Sequence, residues 1–302
     1  MTVSQSHAAD TEGAPAPDRA PRQGMWRRAG RQLVRRKLVL ACALLIAVYC
    51  LIALLGVVGL LPDYQERVGG SYLPPSASPA LLLGTDIFGR SVLYKILAGT
   101  RTAMTIGFLV PLIAIPVGIA LGALAGYYGG FIDAAVVWLF SVVSSLPEIL
   151  IVVAISFVLG KGMLAICVAM GAVGWIGLCR LVRGEFIKHR NREYVLASRL
   201  LGANDFRVIF VHILPNTLHL AIITASLSVL GAIKSEVILT YLGVGVQGGA
   251  SWGTMISDSA GELVQGIWWP LAGVVLAMFF IIYALNVVGD ALRDAPDPKL
   301  LD

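Results

Sequence analysis

Charge is what this 302-residue chain has least of. Only 14% of its residues are Asp, Glu, Lys or Arg, against about a quarter in a soluble domain, so an ordinary water-facing surface is excluded. Cysteine is thin as well. Cys42, Cys50, Cys167 and Cys179 all lie in or beside apolar runs and none shows CxxC spacing. That excludes a thiolate metal site or a disulfide framework and leaves four small apolar groups. No G-x-x-x-x-G-K-S/T stretch occurs, and Gly160-Lys161-Gly162 lacks the rest of one, so the chain has no phosphate cradle for a nucleotide. His189, His212 and His219 stand in neither an HExxH nor a GxSxG context, which leaves an intramembrane enzyme without its nucleophile or metal.

What is abundant is apolar: 57% of residues, with a mean hydropathy of +0.82. The composition predicts an all-α polytopic membrane protein, with spans of about 20 residues each. Residues 1–37 read as a disordered, basic tail. The first span covers 38–61, and a polar loop with Pro and Gly follows over 62–100. Five further spans are expected at 102–125, 134–159, 163–181, 217–242 and 267–288, within a core of 101–290, and 291–302 closes the chain as a tail. Pro111, Pro116 and Pro147 fall inside spans, where each removes a backbone donor.

Six spans place both termini on one side. Seventeen Lys and Arg lie in the two tails and the 180–210 segment, against five (Arg67, Arg90, Lys95, Arg101 and Lys161) on the other side; Lys234 is left inside span five. The positive-inside rule therefore puts both termini and the 180–210 segment in the cytoplasm.

The stretch Arg190 to Asn216, RNREYVLASRLLGANDFRVIFVHILPN, is the most informative. Glu193 to Leu201 has helix formers and no breaker. Gly202 suits a left-handed helix end. Asn204 or Asp205 can cap the next helix. The product is a short helix lying outside the bilayer, showing Tyr194, Leu200 and Leu201 beside Ala197 and Ser198. It reads either as a knob for a partner's groove or as a surface helix packed on its own spans.

This stretch resembles the EAA loop of permeases of binding-protein-dependent ABC importers. Leu196-Ala197-Ser198, three residues, Gly202 and then Leu214-Pro215 keep the spacing, although the acidic first position and second alanine are replaced. Other matches run from about residue 30 to 300. Gly84-Thr85-Asp86-Ile87-Phe88-Gly89-Arg90, Tyr128-Gly129-Gly130 with Asp133, Leu242-Gly243-Val244-Gly245 with Ser251-Trp252-Gly253, and Gly289-Asp290 through Asp297-Pro298 resemble motifs of the dipeptide/oligopeptide/nickel permeases. Val137, Trp138 and Ser141 depart from that family's pattern, so any ion pair made there in relatives is absent or rebuilt.

The resemblance implies a MetI-like type I importer fold in a bacterial inner membrane, with no catalysis by this chain. It implies a second related permease, two ATPase subunits that hold ATP and Mg, an extracytoplasmic solute-binding protein, membrane lipid, and no nucleic acid. The chain itself is expected to bind no cofactor. Tyr194, Ala197, Ser198, Leu201, Gly202 and Ala203 are the implied ATPase-coupling residues. Asp86, Arg90 and Trp252 are candidates for binding-protein docking, and Asp63, Glu66, Asp258 and Glu262 share those outer loops.

Charges inside spans mark candidate pathway residues, because each costs at least about 2.5–3.5 kcal/mol on insertion scales. They are Glu148, Lys234 and Glu236. Lys234 and Glu236 are two apart, hence on different helix faces. A Glu148–Lys234 pair is one expectation, and contact with a partner permease or interfacial water is the other. Ser226, Ser228 and Ser235 form a polar stripe on the fifth span. A stand-alone carrier or channel is the competing class; it calls for internal repeats, and the sequence shows no inverted repeat.

Overall fold

The computed structural model describes residues 36–160, 162–246 and 248–294. The expected tail before residue 36, Lys161 and the Asp297-Pro298 part of the closing motif lie outside the described residues. Among the described residues nine helices carry the fold: α1 (Lys37–Val58), α2 (Val92–Tyr128), α3 (Gly130–Ser144), α4 (Glu148–Leu159), α5 (Met163–His189), α6 (Glu193–Leu200), α7 (Leu214–Tyr241), α8 (Trp252–Val264) and α9 (Trp269–Asp294). A single turn, Asp205–Arg207, and a π-helical stretch, Val208–Ile213, join α6 to α7. No strand occurs among the described residues, only isolated bridges between Arg67 and Arg90 and between Thr85 and Ser91.

α2 is the spine. It runs unbroken through Pro111 and Pro116 for 37 residues, about 56 Å at 1.5 Å per residue, well beyond the roughly 30 Å apolar core of a bilayer. Its Val92 end therefore stands at one face of the bundle and its Tyr127 end at the other. α5 lies against it along a stripe of glycines. A Cβ at Gly118 would stand 2.9 Å from the Trp175 carbonyl oxygen, at Gly122 2.6 Å from that of Cys179, and at Gly126 2.6 Å from that of Arg183. Glycine every fourth residue lets two backbones touch, which is how helices associate where lipid offers no hydrophobic drive.

Two expectations need correction. The third span is not one helix over 134–159. α3 and α4 meet at 90° across Ser145-Leu146-Pro147. Pro147 has no N–H to continue α3, and it serves instead as N-cap of α4, whose Leu150 N–H bonds its carbonyl at 3.0 Å. At 15 and 12 residues neither arm crosses a bilayer alone. The fifth span begins earlier than expected, because the π-helical stretch runs directly into α7. Pro215 explains the widened turns: its ring clashes with the carbonyl four residues back and it donates no hydrogen bond there.

α1 and α9 form the flank of the bundle. α1 leaves Leu38, Leu44, Leu51, Leu54 and Val57 uncovered, and α9 leaves Leu276, Phe279 and Phe280 uncovered, as apolar helices facing lipid or another membrane chain do. Cys42, Cys167 and Cys179 are buried and Cys50 half-buried, all as free thiols.

Candidate functional site

At the Tyr127 end the chain folds back as the α6 hairpin. α6 stops because Gly202 turns left-handed at φ +83°; its N–H bonds the Arg199 carbonyl and the Ala203 N–H that of Ser198. Asn204 caps the next turn through the Arg207 N–H at 2.9 Å. Val195 and Ser198 face inward, and the Ser198 hydroxyl bonds the Val195 carbonyl at 2.9 Å. Val195 joins Phe186, Val208, Ile209 and Ile213 in a buried cluster, with Ala203 packed against it.

Of the expected coupling residues, the structure therefore presents Tyr194, Ala197, Leu201 and Gly202 outward and turns Ser198 and Ala203 inward. The helical period leaves the side of α6 that carries Val195 and Ser198 against the bundle. Leu200, expected on the exposed side of this helix but not among the implied coupling residues, belongs with them: Leu200 and Leu201 are each 89% exposed, with Phe206 beside them at 68%. The signal was available, since two adjacent leucines at a helix end outside the bilayer cannot both face one core.

The hairpin is braced on the turn between α2 and α3. Tyr127 donates its hydroxyl hydrogen to Asp205 at 2.5 Å, and the Arg199 guanidinium sits 5.1 Å over the Tyr127 ring. Arg183 on α5 forks onto Asp133 at the start of α3, with Nη2 2.7 Å from Oδ2. Arg190 donates to the Gly126 carbonyl at 3.3 Å. Tyr127, just before the Tyr128-Gly129-Gly130 turn, is thus the footing of the exposed helix, and Asp133 after the turn fixes α3 to α5 beneath it. Asp133→Ala is expected to cost about 1–2 kcal/mol, because the paired groups are only partly buried. Exchanging the two charges (Asp133→Arg with Arg183→Asp) should recover much of the loss, read as the melting temperature of the purified protein.

In the middle of the bundle a cavity of about 540 Å³ opens between α2, the α3–α4 bend, α5 and α7. Glu148 lies on its wall with Ser144, Ser228 and Ser235. The 90° bend puts Glu148 in the first turn of α4, where the helix N-terminus favours a carboxylate. Lys234 and Glu236 flank Ser235 by about 100° on either side, and neither lies on the cavity wall. Lys234 is exposed and Glu236 fully buried. Glu148 and Lys234 form no ion pair among the described residues, because α7 turns the lysine away from the serine stripe.

At the Val92 end, the loop over residues 62–91 and α8 make a cap. Asp86 is buried; its carboxylate accepts the N–H groups of Phe88 (2.9 Å) and Arg90 (3.0 Å) and the Lys95 ammonium at 2.9 Å. Trp252 is fully buried, with Nε1 3.3 Å from the Ile96 carbonyl. Asp86 and Trp252 therefore hold the cap together and offer no docking surface. Arg90, half-buried, lies 4.8 Å over the Phe88 ring. The exposed groups are Ile87 and Phe88, presented by the turn that Asp86 fixes. Asp63, Glu66 and Asp258 are exposed and Glu262 is buried.

Burial raises the Glu262 carboxyl above the ordinary range, with Asp86 and Asp258 raising it further and Lys95 and the nearby Ile87 backbone lowering it. A raised acid stabilises the fold below its unfolded pKa and loses that contribution as pH climbs through the folded value. After correction for the base-catalysed rise of intrinsic amide exchange with pH, the protection of the α8 amides should thus be greater at pH 5 than at pH 8. Glu262→Gln should flatten that dependence.

Comparison with known proteins agrees with this arrangement. The model of the family described as "Binding-protein-dependent transport system inner membrane component" matches residues 118–302. The "Dipeptide transport system permease protein DppC" of Bacillus subtilis (strain 168) is 35% identical over 303 residues, covering 99% of this chain and 92% of the relative. The "Oligopeptide transport system permease protein OppC" of the same organism is 35% identical, covering 91% and 90%. The "Glutathione transport system permease protein GsiD" of Pectobacterium atrosepticum is 31% identical, covering 91% of each. Among solved structures, the fold is similar to an inward-facing MetNI methionine ABC transporter chain, with a TM-score of 0.51 at 18% identity over 68% of this chain and 94% of that one. With five apolar helices among the described residues long enough to cross a membrane and a sixth crossing if the bent pair is one span, this chain belongs to the binding-protein-dependent transport system inner membrane components, as a permease subunit of an ABC importer.

Proposed function

We propose that this chain forms half of the translocation pathway for di- or oligopeptides and that an ATPase subunit docks on α6 from the cytoplasm. The observation that carries this reading is the pair Leu200 and Leu201, uncovered at the tip of a helix whose inner face and footing are fixed. A rigid apolar knob standing outside the bilayer marks a surface suited to a partner. The excess of Lys and Arg on this side supports a cytoplasmic placement of this end. ATP and Mg then belong to the docked subunits, and the chain supplies transmission and a conduit.

The cargo class follows the relatives named for dipeptide and oligopeptide transport. Glu148 and the serines give the cavity polar groups suited to a peptide in transit. Lys234, a charge uncovered on a membrane helix, fits a face closed by a second permease subunit. The cap with Ile87 and Phe88 is the surface proposed for the solute-binding protein.

Purification in mild detergent tests the reading. An ATP-hydrolysing subunit and a second permease should accompany the chain, and liposomes holding the assembly should accumulate peptide only with ATP inside the ATPase-bearing compartment. Peptide uptake by the chain alone without ATP would contradict it.

A further inference from the structure

Glu236 is used by neither the cavity nor the α6 hairpin, yet it is fully buried on α7. Its Oε1 accepts two hydroxyl hydrogens, from Thr240 at 2.9 Å and from Ser251 at 2.8 Å, while Oε2 has no hydrogen-bond partner. A buried carboxyl left half-satisfied destabilises the fold. An apolar residue would pack there at lower cost, so the chemistry of the group needs a reason.

The two donors give one. Thr240 is on the last turn of α7, and its hydroxyl oxygen also accepts the Val246 N–H at 3.2 Å. Ser251 is the N-cap of α8, and its hydroxyl oxygen accepts the Gly253 N–H at 3.0 Å. One carboxyl oxygen therefore fixes both ends of the connection between α7 and α8. Beyond it, α8 rests on the start of α2 through Trp252, whose Nε1 donates to the Ile96 carbonyl, and through Asp258 at 3.6 Å from Lys95; Lys95 in turn binds Asp86 at 2.9 Å, at the base of the turn that carries Ile87 and Phe88. At its other end α7 grows directly out of the α6 hairpin. It is one continuous helix of 28 residues, about 42 Å long.

We propose that Glu236 is a positioning residue that makes the cap follow α7, so that a displacement imposed at α6 reaches the surface around Ile87 and Phe88. The vacant Oε2 accepts a donor as the cap shifts, which a fully satisfied or apolar side chain could not do. The inference rests on the importer reading, and its test separates the two.

The assembled transporter, with its ATPase subunits, is subjected to hydrogen–deuterium exchange with and without trapping by ATP and vanadate. In the wild type, trapping should change exchange over 84–91 and 252–264 by about threefold or more. Glu236→Leu should abolish that response, and Glu236→Gln, which keeps an acceptor oxygen, should restore most of it. Ser251→Asp keeps a good N-cap but sets two carboxyls together, and should lose the response. Ser251→Asn keeps both cap and donor and should retain it; this pair decides the matter if Glu236→Leu fails to assemble. A cap that responds normally in Glu236→Leu or Ser251→Asp overturns the inference. So does exchange already raised along all of α7 without nucleotide, which marks a packing role alone. The importer reading fails separately, if the wild-type chain brings no vanadate-sensitive hydrolase with it.

Discussion

Replacing Leu200 and Leu201 together by aspartate is expected to release the ATPase subunits from the membrane chain while leaving that chain folded. Both side chains are almost wholly exposed and touch no part of the buried cluster beneath α6. Removing them therefore sacrifices no core contact, and surface changes of this kind are worth within about 0.5 kcal/mol of stability. Docked in a partner's cleft, the same leucines become buried anchors. Anchors of that kind are worth at least about 2 kcal/mol each, and a buried unpaired aspartate adds its own desolvation penalty. The ATPase recovered per permease should fall by about a hundredfold or more, with the melting temperature of the chain unchanged. A parallel fall in melting temperature would mean that the leucines serve the fold instead. Glu193→Gln, on the same helix but away from its tip, is the control expected to keep binding.

The second large effect is structural. Gly122→Val should prevent α2 and α5 from meeting. A Cβ there would stand 2.6 Å from the Cys179 carbonyl oxygen and 2.9 Å from the Val182 Cβ, both rigid parts of α5. Neither can rotate away, so the helices must separate along the stripe from Gly118 to Gly126. Separation also lifts Tyr127 from Asp205 and Asp133 from Arg183, which loosens the footing of α6. The loss should exceed about 3 kcal/mol, beyond the usual range for overpacking. It is measured as the fraction of monodisperse protein surviving detergent extraction. By contrast, Gly177, also on α5, has nothing within 4 Å of its would-be Cβ, and Gly177→Ala should be tolerated. Equal survival of Gly122→Val and Gly177→Ala would show that the close approach is not what holds the two helices.

The long apolar runs were legible because a membrane span needs little beyond length and absence of charge, and α1, α2, α5, α7 and α9 follow from that. The helix at Glu193 and its stop at Gly202 were legible from local chemistry. What hydropathy could not show is direction. Residues 134–159 stay apolar through the bend, so a single span was the natural reading. Only the missing donor of Pro147, seen with its neighbours, turns the chain by 90°. The same limit applies to charge. Lys234 and Glu236 are both conspicuous in an apolar run, but one is exposed and the other fully enclosed, and that depends on which helices surround α7. Asp86 and Trp252 stood out as polar and aromatic residues in loops. They are buried because the loop folds into a cap, and the exposed groups are their neighbours Ile87 and Phe88. The glycines of α2 were countable at every fourth position, but their meaning depends on α5 lying against that face.

The central claim is that α6 stands on the cytoplasmic side and is covered there by a nucleotide-hydrolysing partner. A single cysteine placed at Leu200, with the four native cysteines replaced by serine or alanine, tests it most directly through a membrane-impermeant thiol reagent. The account predicts labelling in inside-out vesicles, none in right-side-out vesicles, and protection when the ATPase subunits are bound. Labelling from the exterior, or undiminished labelling in the full assembly, would contradict it.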